Sequence, residues 1–562
     1  MTVSSPAPFT LSPEHKRVFA GLMLGMFVAS ISQMIVSPAM PRIVAELGGM
    51  DHYSWVAIAA MLVSAVTVPI VGKLSDLYGR RGFYIAGLAV FMAGSIVAGF
   101  AQSFGILILG RAIQGFGMGT LMPLSQTIIG DIIPARQRGK YQGIMGSVFG
   151  LSSVAGPITG GWITDHFGWR ALFFVSLPVG LVALFFIARF LHLPFQRRDA
   201  KVDVAGIVLL AVGLTTSLLA TSWGGTTYAW SSGTILGLYA VGVVALIAFV
   251  WVETKAEEPV LPLRLFKSSV FSFSVIASFI IAMAMFGAMI YIPVFAQGVV
   301  GINATNSGLV LMPMMVGMIV LGIVSGALVT RTGRYKEIML LGVAIMGVGQ
   351  WLLSRMDHTA TQTQLTVAMI VFGIGLGMAM QLYTLVVQNG AEQRDMGVAT
   401  ASTQFFRNVG STVGIAIFGT VMTSGLAAAI MGHLPAEVAA QMAAGGGSGM
   451  SAGDVLDPSK LAALPPVVAD AVRQGLAERL HVVFLLGIPL LALAFLVTLF
   501  IKHVPLRETV HAHEDAKTHD VEDFGHDLLD TMSSTVGEAS APVGHASGST
   551  PAGQRVSVTS DS

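Results

Sequence analysis

The sequence predicts an all-α polytopic membrane protein with fourteen transmembrane helices. Three observations predict it. The first is composition: the 562 residues are 54% hydrophobic and 11% charged, with a mean hydropathy of +0.75, whereas soluble domains are roughly 25% charged. Single soluble cores stop growing at about 250–300 residues, so lipid is the solvent that can cover this much apolar surface. The second is the repeated occurrence of apolar runs long enough to cross a bilayer, which takes roughly 20 residues each. The third is the alternation of basic residues between successive loops.

The apolar runs lie at about 18–39, 54–72, 83–101, 105–129, 141–162, 170–191, 204–223, 233–252, 270–297, 304–329, 336–354, 364–388, 397–425 and 480–501. Residues 1–17 are polar, and the run after them has no small-residue cleavage site, so it reads as a spanning helix rather than a signal peptide. With that N-terminus inside, the inner loops carry Lys73, Arg80 and Arg81; Arg136, Arg138 and Lys140; Arg197, Arg198 and Lys201; Lys255, Arg264 and Lys267; Arg331, Arg334 and Lys336; and Arg394. The outer loops carry Arg42, Arg170, Arg355, Lys460, Arg473 and Arg479. Positive-inside alternation survives every crossing. It places both termini on the cytoplasmic side of a cell membrane.

Residues 18–191 form six of these spans, 204–252 two, and 270–501 six more. The last group includes one long outer connection, 427–478, with "AAGGGSGMSAG" and a helix-like "AVRQGLAERL". Residues 504–562 read as a disordered cytoplasmic tail. Its His511, His513, His519 and His526 are read as part of a solvated tail, not a metal site. No cysteine is present, which excludes disulfides, thiolate catalysis and zinc–thiolate sites. A net charge of +1 implies no nucleic-acid partner, and nothing in the chain calls for a cofactor.

The chain also repeats itself. "GKLSDLYGRR" (72–81) follows the second run and "GALVTRTGRY" (326–335) the tenth, with Thr330 in the place of Asp76. A shared inner-loop motif at matching places argues for two six-span halves, with 204–252 inserted between them. Transporters are commonly built from such repeats, with the site between the halves near the midplane.

Four stretches carry chemistry. In "GKLSDLYGRR", Gly72 and Gly79 permit close approach or positive φ, and Asp76, Arg80 and Arg81 can pair across a tight turn. A plain basic loop would explain the charges but not the Gly-Asp-Gly-Arg spacing. "GRAIQGFGMGTLMP" (110–123) puts Arg111 and Gln114 one helical turn apart inside a span, where a guanidinium is costly unless it faces a cavity or partners. "GSVFGLSSVAGPITGGW" (146–162) lines up Gly150, Gly156, Gly160 and Gly161 for helix packing, with Pro157 removing a backbone bond. "STQFFRNVGSTVGIAIFG" (402–419) sets Arg407 within the thirteenth run, either as a functional charge or reaching the inner interface.

Met clusters at 281–291, 311–318 and 375–383 suit an adaptable apolar surface. Beside polar anchors they suggest a cavity for a hydrophobic small molecule. Its expected lining is Ser32, Gln33, Gln114, Met283, Met285, Tyr291, Gln381 and Tyr383. No His-Glu-x-x-His, Gly-x-Ser-x-Gly or intramembrane aspartate pair is present, which argues against an enzyme.

Together these four stretches resemble the major facilitator superfamily, and more closely its fourteen-span drug:proton antiporter branch. The resemblance covers roughly residues 18–425 and the last span. It implies a major facilitator fold of two six-helix bundles plus two inserted helices, acting as a monomer in the bilayer. It implies export of hydrophobic or amphiphilic molecules by alternating access, driven by protons. Asp76, Arg80 and Asp131 would form an inner charge cluster that locks one conformation. Arg111 would take part in proton coupling, and Gly156 and Pro157 would shape a bend that favours exchange. A facilitator or mover of lipid-like substrates on the same fold, without strict proton coupling, is the second reading.

The sequence departs from that branch at "ISQMIVSPAMP", where Ser32 stands at the position of the usual first-span Asp, and at "WVAIAAML", where Ala-Met replaces Ala-Tyr. No carboxylate lies well inside any span; Asp131 and Glu253 sit at inner ends and Asp165 at an outer end. A buried carboxylate can cycle a proton near neutrality, and serine and glutamine cannot. The chemistry of the first span therefore favours neutral, anionic or zwitterionic substrates over dications.

Overall fold

The structure, a computed structural model, describes residues 12–47, 55–192, 202–225, 227–302, 311–435 and 465–507. These all fall within one compact unit, Met1–Val510. Lys460, the Arg197–Lys201 loop, the glycine-rich stretch of the long outer connection and the four tail histidines lie outside the described residues.

Fourteen long helices make up the described chain: α1 (Pro13–Met34), α2 (Trp55–Tyr78), α3 (Arg80–Gly99), α4 (Phe104–Ile132), α5 (Ala135–Phe167), α6 (Ala171–Phe190), α7 (Val204–Trp223), α8 (Gly233–Glu253), α9 (Ser269–Gly298), α10 (Met312–Thr332), α11 (Tyr335–Ser354), α12 (Gln362–Gly390), α13 (Met396–Thr423) and α14 (Pro466–Leu499). Among the described residues, thirteen of the helical stretches are long and apolar enough to cross a membrane. The remaining one is α5, whose glycines and polar inner end dilute its hydropathy, yet it packs between α1 and α10 like the others.

Local chemistry starts several helices. Ser12, Ser103, Ser232 and Ser268 each accept a hydrogen bond from the backbone N–H three residues on, and Thr361 with Gln364 forms a reciprocal cap on α12. Gly79, at φ 96°, makes the sharp turn from α2 into α3, a conformation that a residue with a Cβ rarely adopts.

The packing repeats with a shift of eight helices. Within the first half α1 packs on α4, α5 and α6, α2 on α4, and α3 on α4 and α6. Within the second half α9 packs on α12, α13 and α14, α10 on α12, and α11 on α12 and α14. The same pairs recur, as duplicated bundles require. The inserted helices α7 and α8 pack on each other, and α7 also touches α2 and α13. The halves meet through α5 on α10 and α2 on α13.

Two element boundaries differ from the sequence reading. The segment "AVRQGLAERL" is the start of α14 and not a separate outer piece, because Arg479 donates to the carbonyls of Val421 and Ser424 at the end of α13. That pairing satisfies a charge that would otherwise interrupt an apolar helix. The tail does not leave the body at 504 either: Val504 N–H donates to Tyr335 Oη at 2.7 Å, Asn389 Nδ2 donates to Pro505 O at 3.1 Å, and Arg507 N–H donates to Asn389 Oδ1 at 3.1 Å. Arg136 N–H in turn donates to Arg507 O at 3.1 Å. This short strap therefore touches both halves on the face where α1 begins, called the inner face below.

Candidate functional site

A cavity of about 500 Å³ lies between the halves. Its outer part is bounded by the ends of α1 and α13, at Gln33, Met34, Thr420 and Thr423. One side wall comes from the inserted hairpin, through Leu218, Thr221 and Trp230. Deeper in, it is lined by Gln126, Met145, Gln381 and Arg407. Eight of its lining residues are methionine, and Arg407 is the one Asp, Glu, Lys, Arg or His among them. The α13 face adds a polar stripe, Gln404, Asn408, Ser411 and Thr412, at the i, i+3, i+4 spacing of one helix face.

The cavity is shut off at the inner face. There, α5 and α10 cross at glycines: a Cβ on Gly326 would stand 2.1 Å from Gly139 O, and one on Gly143 would stand 2.3 Å from Gly322 O. On the pseudo-symmetric side, a Cβ on Gly72 would stand 2.4 Å from Ala401 Cβ. Polar links complete the closure. Gln388 Nε2 donates to Gln126 O at 3.0 Å and to Thr400 Oγ1 at 3.1 Å. Lys73 Nζ, on α2, meets Glu258 beyond α8 at 2.5 Å.

The inner charge cluster spans this closure. Arg80 Nη1 is 2.5 Å from Asp76 Oδ1, and Arg80 Nε also pairs with Asp131. Asp76, with a side chain 3% exposed, accepts from the backbone N–H groups of Gly397 at 3.0 Å and Val398 at 2.8 Å. A carboxylate from one half thus caps the positive end of α13 in the other. Gln393 Nε2 reaches Asp131 Oδ1 at 2.7 Å. The half-copied motif occupies the symmetric place: Thr330, at the end of α10, accepts from Lys140 N–H near the start of α5 at 3.3 Å. Asp76 and Thr330 therefore reach equivalent helices across the interface, Asp76 as a charged cap on the first turn of α13 and Thr330 as a neutral contact one turn further into α5.

Arg111 is 1% exposed and lies inside the first half. It donates to Val56 O at 3.0 Å, Ser32 O at 3.2 Å, Ser32 Oγ at 3.4 Å and Gln114 Oε1 at 2.9 Å. Gln114 Nε2 continues the chain to Ser95 Oγ at 2.7 Å. No carboxylate joins this network among the described residues.

The expected cavity lining is corrected in part. Gln33, Tyr291 and Gln381 line the cavity. Ser32 and Gln114 do not, because they turn inward to Arg111. Met283 packs against α13, where a Cβ on Gly414 would meet its backbone at 2.3 Å. Tyr383 Oη bonds Thr498 Oγ1 at 2.7 Å, inside the second half. Met285 and Tyr383 instead line a second, much smaller cavity with Ser278 and Arg407.

In α5, Gly150 faces α10, while Cβ atoms on Gly156 and Gly160 would stand 2.6 Å from Met34 Cβ and 2.3 Å from Ile35 O. Gly161 faces open space, and Pro157 sits within an unbroken helix. Arg407 is 6% exposed and bonds Met380 O at 3.2 Å, so it does not reach the inner interface. Sequence reasoning missed the Gln126–Gln388–Thr400 links and the strap at 504–507, since neutral amides and short polar segments leave no spacing signal.

The Major Facilitator Superfamily profile matches residues 22–415. The chain belongs to this family of transporters. It is 38% identical over 505 residues to the Bacillus subtilis protein named Multidrug transporter protein MdtP, covering 87% of this chain and 93% of that one. It is 36% identical over 507 residues to Multidrug resistance protein 3 of the same organism, covering 89% and 98%. Among solved structures, the human organic anion transporter MFSD10 (TETRAN) has a TM-score of 0.55 at 14% identity, covering 86% of this chain and all of that one, which bears on the fold alone.

Proposed function

We propose that this chain is a drug-efflux transporter of a cell membrane, with both termini cytoplasmic, that exports hydrophobic or amphiphilic small molecules by alternating access in exchange for protons. The observation that carries the reading is the pairing of an inner closure with a cavity that reaches the outer ends of α1 and α13. Closure on one side with access from the other is what alternating access requires of one of its two end states, and so supports the reading. The names of the Bacillus subtilis relatives support drug efflux.

In this reading the Asp76–Arg80–Asp131 cluster holds the inner side shut. A proton on Asp76 would weaken both its pair with Arg80 and its cap on α13. The described lining residues of the cavity include no Asp, Glu or His, while Asp76 and Asp131 accept hydrogen bonds across the closure, so this reading assigns the proton-linked step to the inner cluster. Arg111 lies apart from that cluster, bonded to Ser32, Val56 and Gln114, and is a fixed charge, since a guanidinium stays protonated. Reconstituted transporter with an imposed pH gradient tests this. The expected result is substrate export that accelerates when protons can run the opposite way. A flux indifferent to the gradient would favour the uncoupled facilitator.

A further inference from the structure

We infer that the central cavity is built for monoanionic amphiphiles, whose anionic group docks on Arg407 while the apolar body lies against the methionines. The inference rests on the export reading and narrows it to a substrate class. Arg407 is the single Lys or Arg among the lining residues, and no carboxylate stands among them to neutralise it. Its bonds among the described residues go to Met380 O and to Thr384 Oγ1 at 3.4 Å, both from Nη2. Two neutral acceptors on one nitrogen leave most of a guanidinium's five donors without a partner.

A second observation points the same way. Arg407 forms a shared wall between the large cavity and the small one behind it. Ser278, 3% exposed, lines that small space, and its hydroxyl has no hydrogen-bond partner among the described residues. A buried hydroxyl without a partner is uncommon. Here it stands beside a buried cation that lacks an anion; the small space, about 10 Å³, has room for one water at most, so an anionic group meets Arg407 from the large cavity. Gln381 Oε1, buried on the same cavity surface, is likewise unpartnered. A buried cation is costly unless it is paired. An incoming anion relieves that cost, whereas an incoming cation adds to it.

The test uses the full-length chain in phosphatidylcholine nanodiscs at neutral pH. Three probes share one body: 12-(NBD-amino)dodecanoate, its N-methylamide and 12-(NBD-amino)dodecylamine. A charge-assisted pair to a guanidinium predicts that the carboxylate binds roughly tenfold or more tighter than the amide. Arg407→Gln is expected to bring that ratio to about one, and Arg407→Lys to restore part of it. Equal binding of carboxylate and amide by the unaltered protein overturns the inference, as does tightest binding of the amine. Because those outcomes are read on the unaltered chain, they stand even if a variant folds poorly. Export of the amide or amine without the carboxylate sinks the substrate class and leaves the export reading intact. Export of none of the three sinks both. Repeating the binding in phosphatidylglycerol discs separates two sources of the anion: loss of the carboxylate's advantage there assigns the subsite to membrane lipid, and its persistence assigns it to free amphiphiles.

Discussion

Replacing Asp76 with Asn removes one charge and almost no volume, so it isolates the role of the inner cluster. Asp76 makes one ion pair with Arg80 and accepts two backbone N–H bonds across the interface between the halves. Removing one partner of a buried pair costs about 3–5 kcal/mol. Arg80 keeps Asp131, and an Asn carbonyl oxygen can still accept one N–H, so the expected loss is about 2–4 kcal/mol. The pair with Arg80 lies within one half and is common to both states; the part that falls on the inner-closed state alone is the weakened α13 cap, about 1–3 kcal/mol. At 1.4 kcal/mol per tenfold, that share lowers the closed-to-open ratio by roughly 5- to 150-fold. The chain has no cysteine, so spin labels placed at Gly82→Cys and Arg331→Cys, exposed near the inner ends of the two halves, report one distance. Asp76→Asn should move population to a longer distance. An unchanged distance distribution in a folded, transport-impaired variant would refute the assignment of the cluster as the lock.

Other expectations follow from the same contacts. Gly326→Val should shift the same spin-label pair to longer distances, since its Cβ would stand 2.1 Å from Gly139 O; retention of the closed distance would show that this crossing does not seal the inner side. Ser32→Asp should raise the thermal midpoint by pairing with Arg111, 3.4 Å from the present hydroxyl, and leave the charge preference of transport unchanged; a swing toward cationic substrates would place position 32 in the cavity after all. Arg111→Lys should cut transport at least tenfold while the protein still purifies as a folded species, because an ammonium cannot reach Val56, Ser32 and Gln114 together; normal export would remove Arg111 from the mechanism. On the outer face, hydrogen bonds from Arg170 and Trp169 hold the Glu46 carboxyl below its usual range. Its contribution to stability is present above the unfolded carboxylate value and is lost as pH falls through the lower folded one. Glu46→Gln should therefore flatten the acid limb of the thermal-stability profile, and an identical limb would deny the contribution.

The helices and their duplication were legible because membrane spans are written in runs and loop charges, and because "GKLSDLYGRR" and "GALVTRTGRY" carry the repeat. The structure adds that Asp76 and Thr330 contact equivalent helices across the interface. The cavity was only partly legible. Gln33 and Gln381 line it, yet Ser32 and Gln114 belong to the Arg111 network, because residue type alone does not say which side of an all-apolar helix faces protein. The glycine crossing of α5 on α10 was only partly visible: Gly326 opens the repeated motif, but Gly139, Gly143 and Gly322 belong to none of the stretches that stood out. Arg407 was ambiguous in sequence, since a guanidinium midway along a span can reach either way. Its place in the cavity wall follows from the rotation of α13, which packing against α9 through Gly410 and Gly414 sets.

Exchange of substrate for protons is proposed to run through a cavity that opens to one side at a time. Proton flux evoked by substrate in proteoliposomes, followed with an internal pH dye, tests it most directly. The account predicts a pH change that requires substrate, runs opposite to it and is lost in Asp76→Asn. Substrate flux with no accompanying proton movement would contradict it.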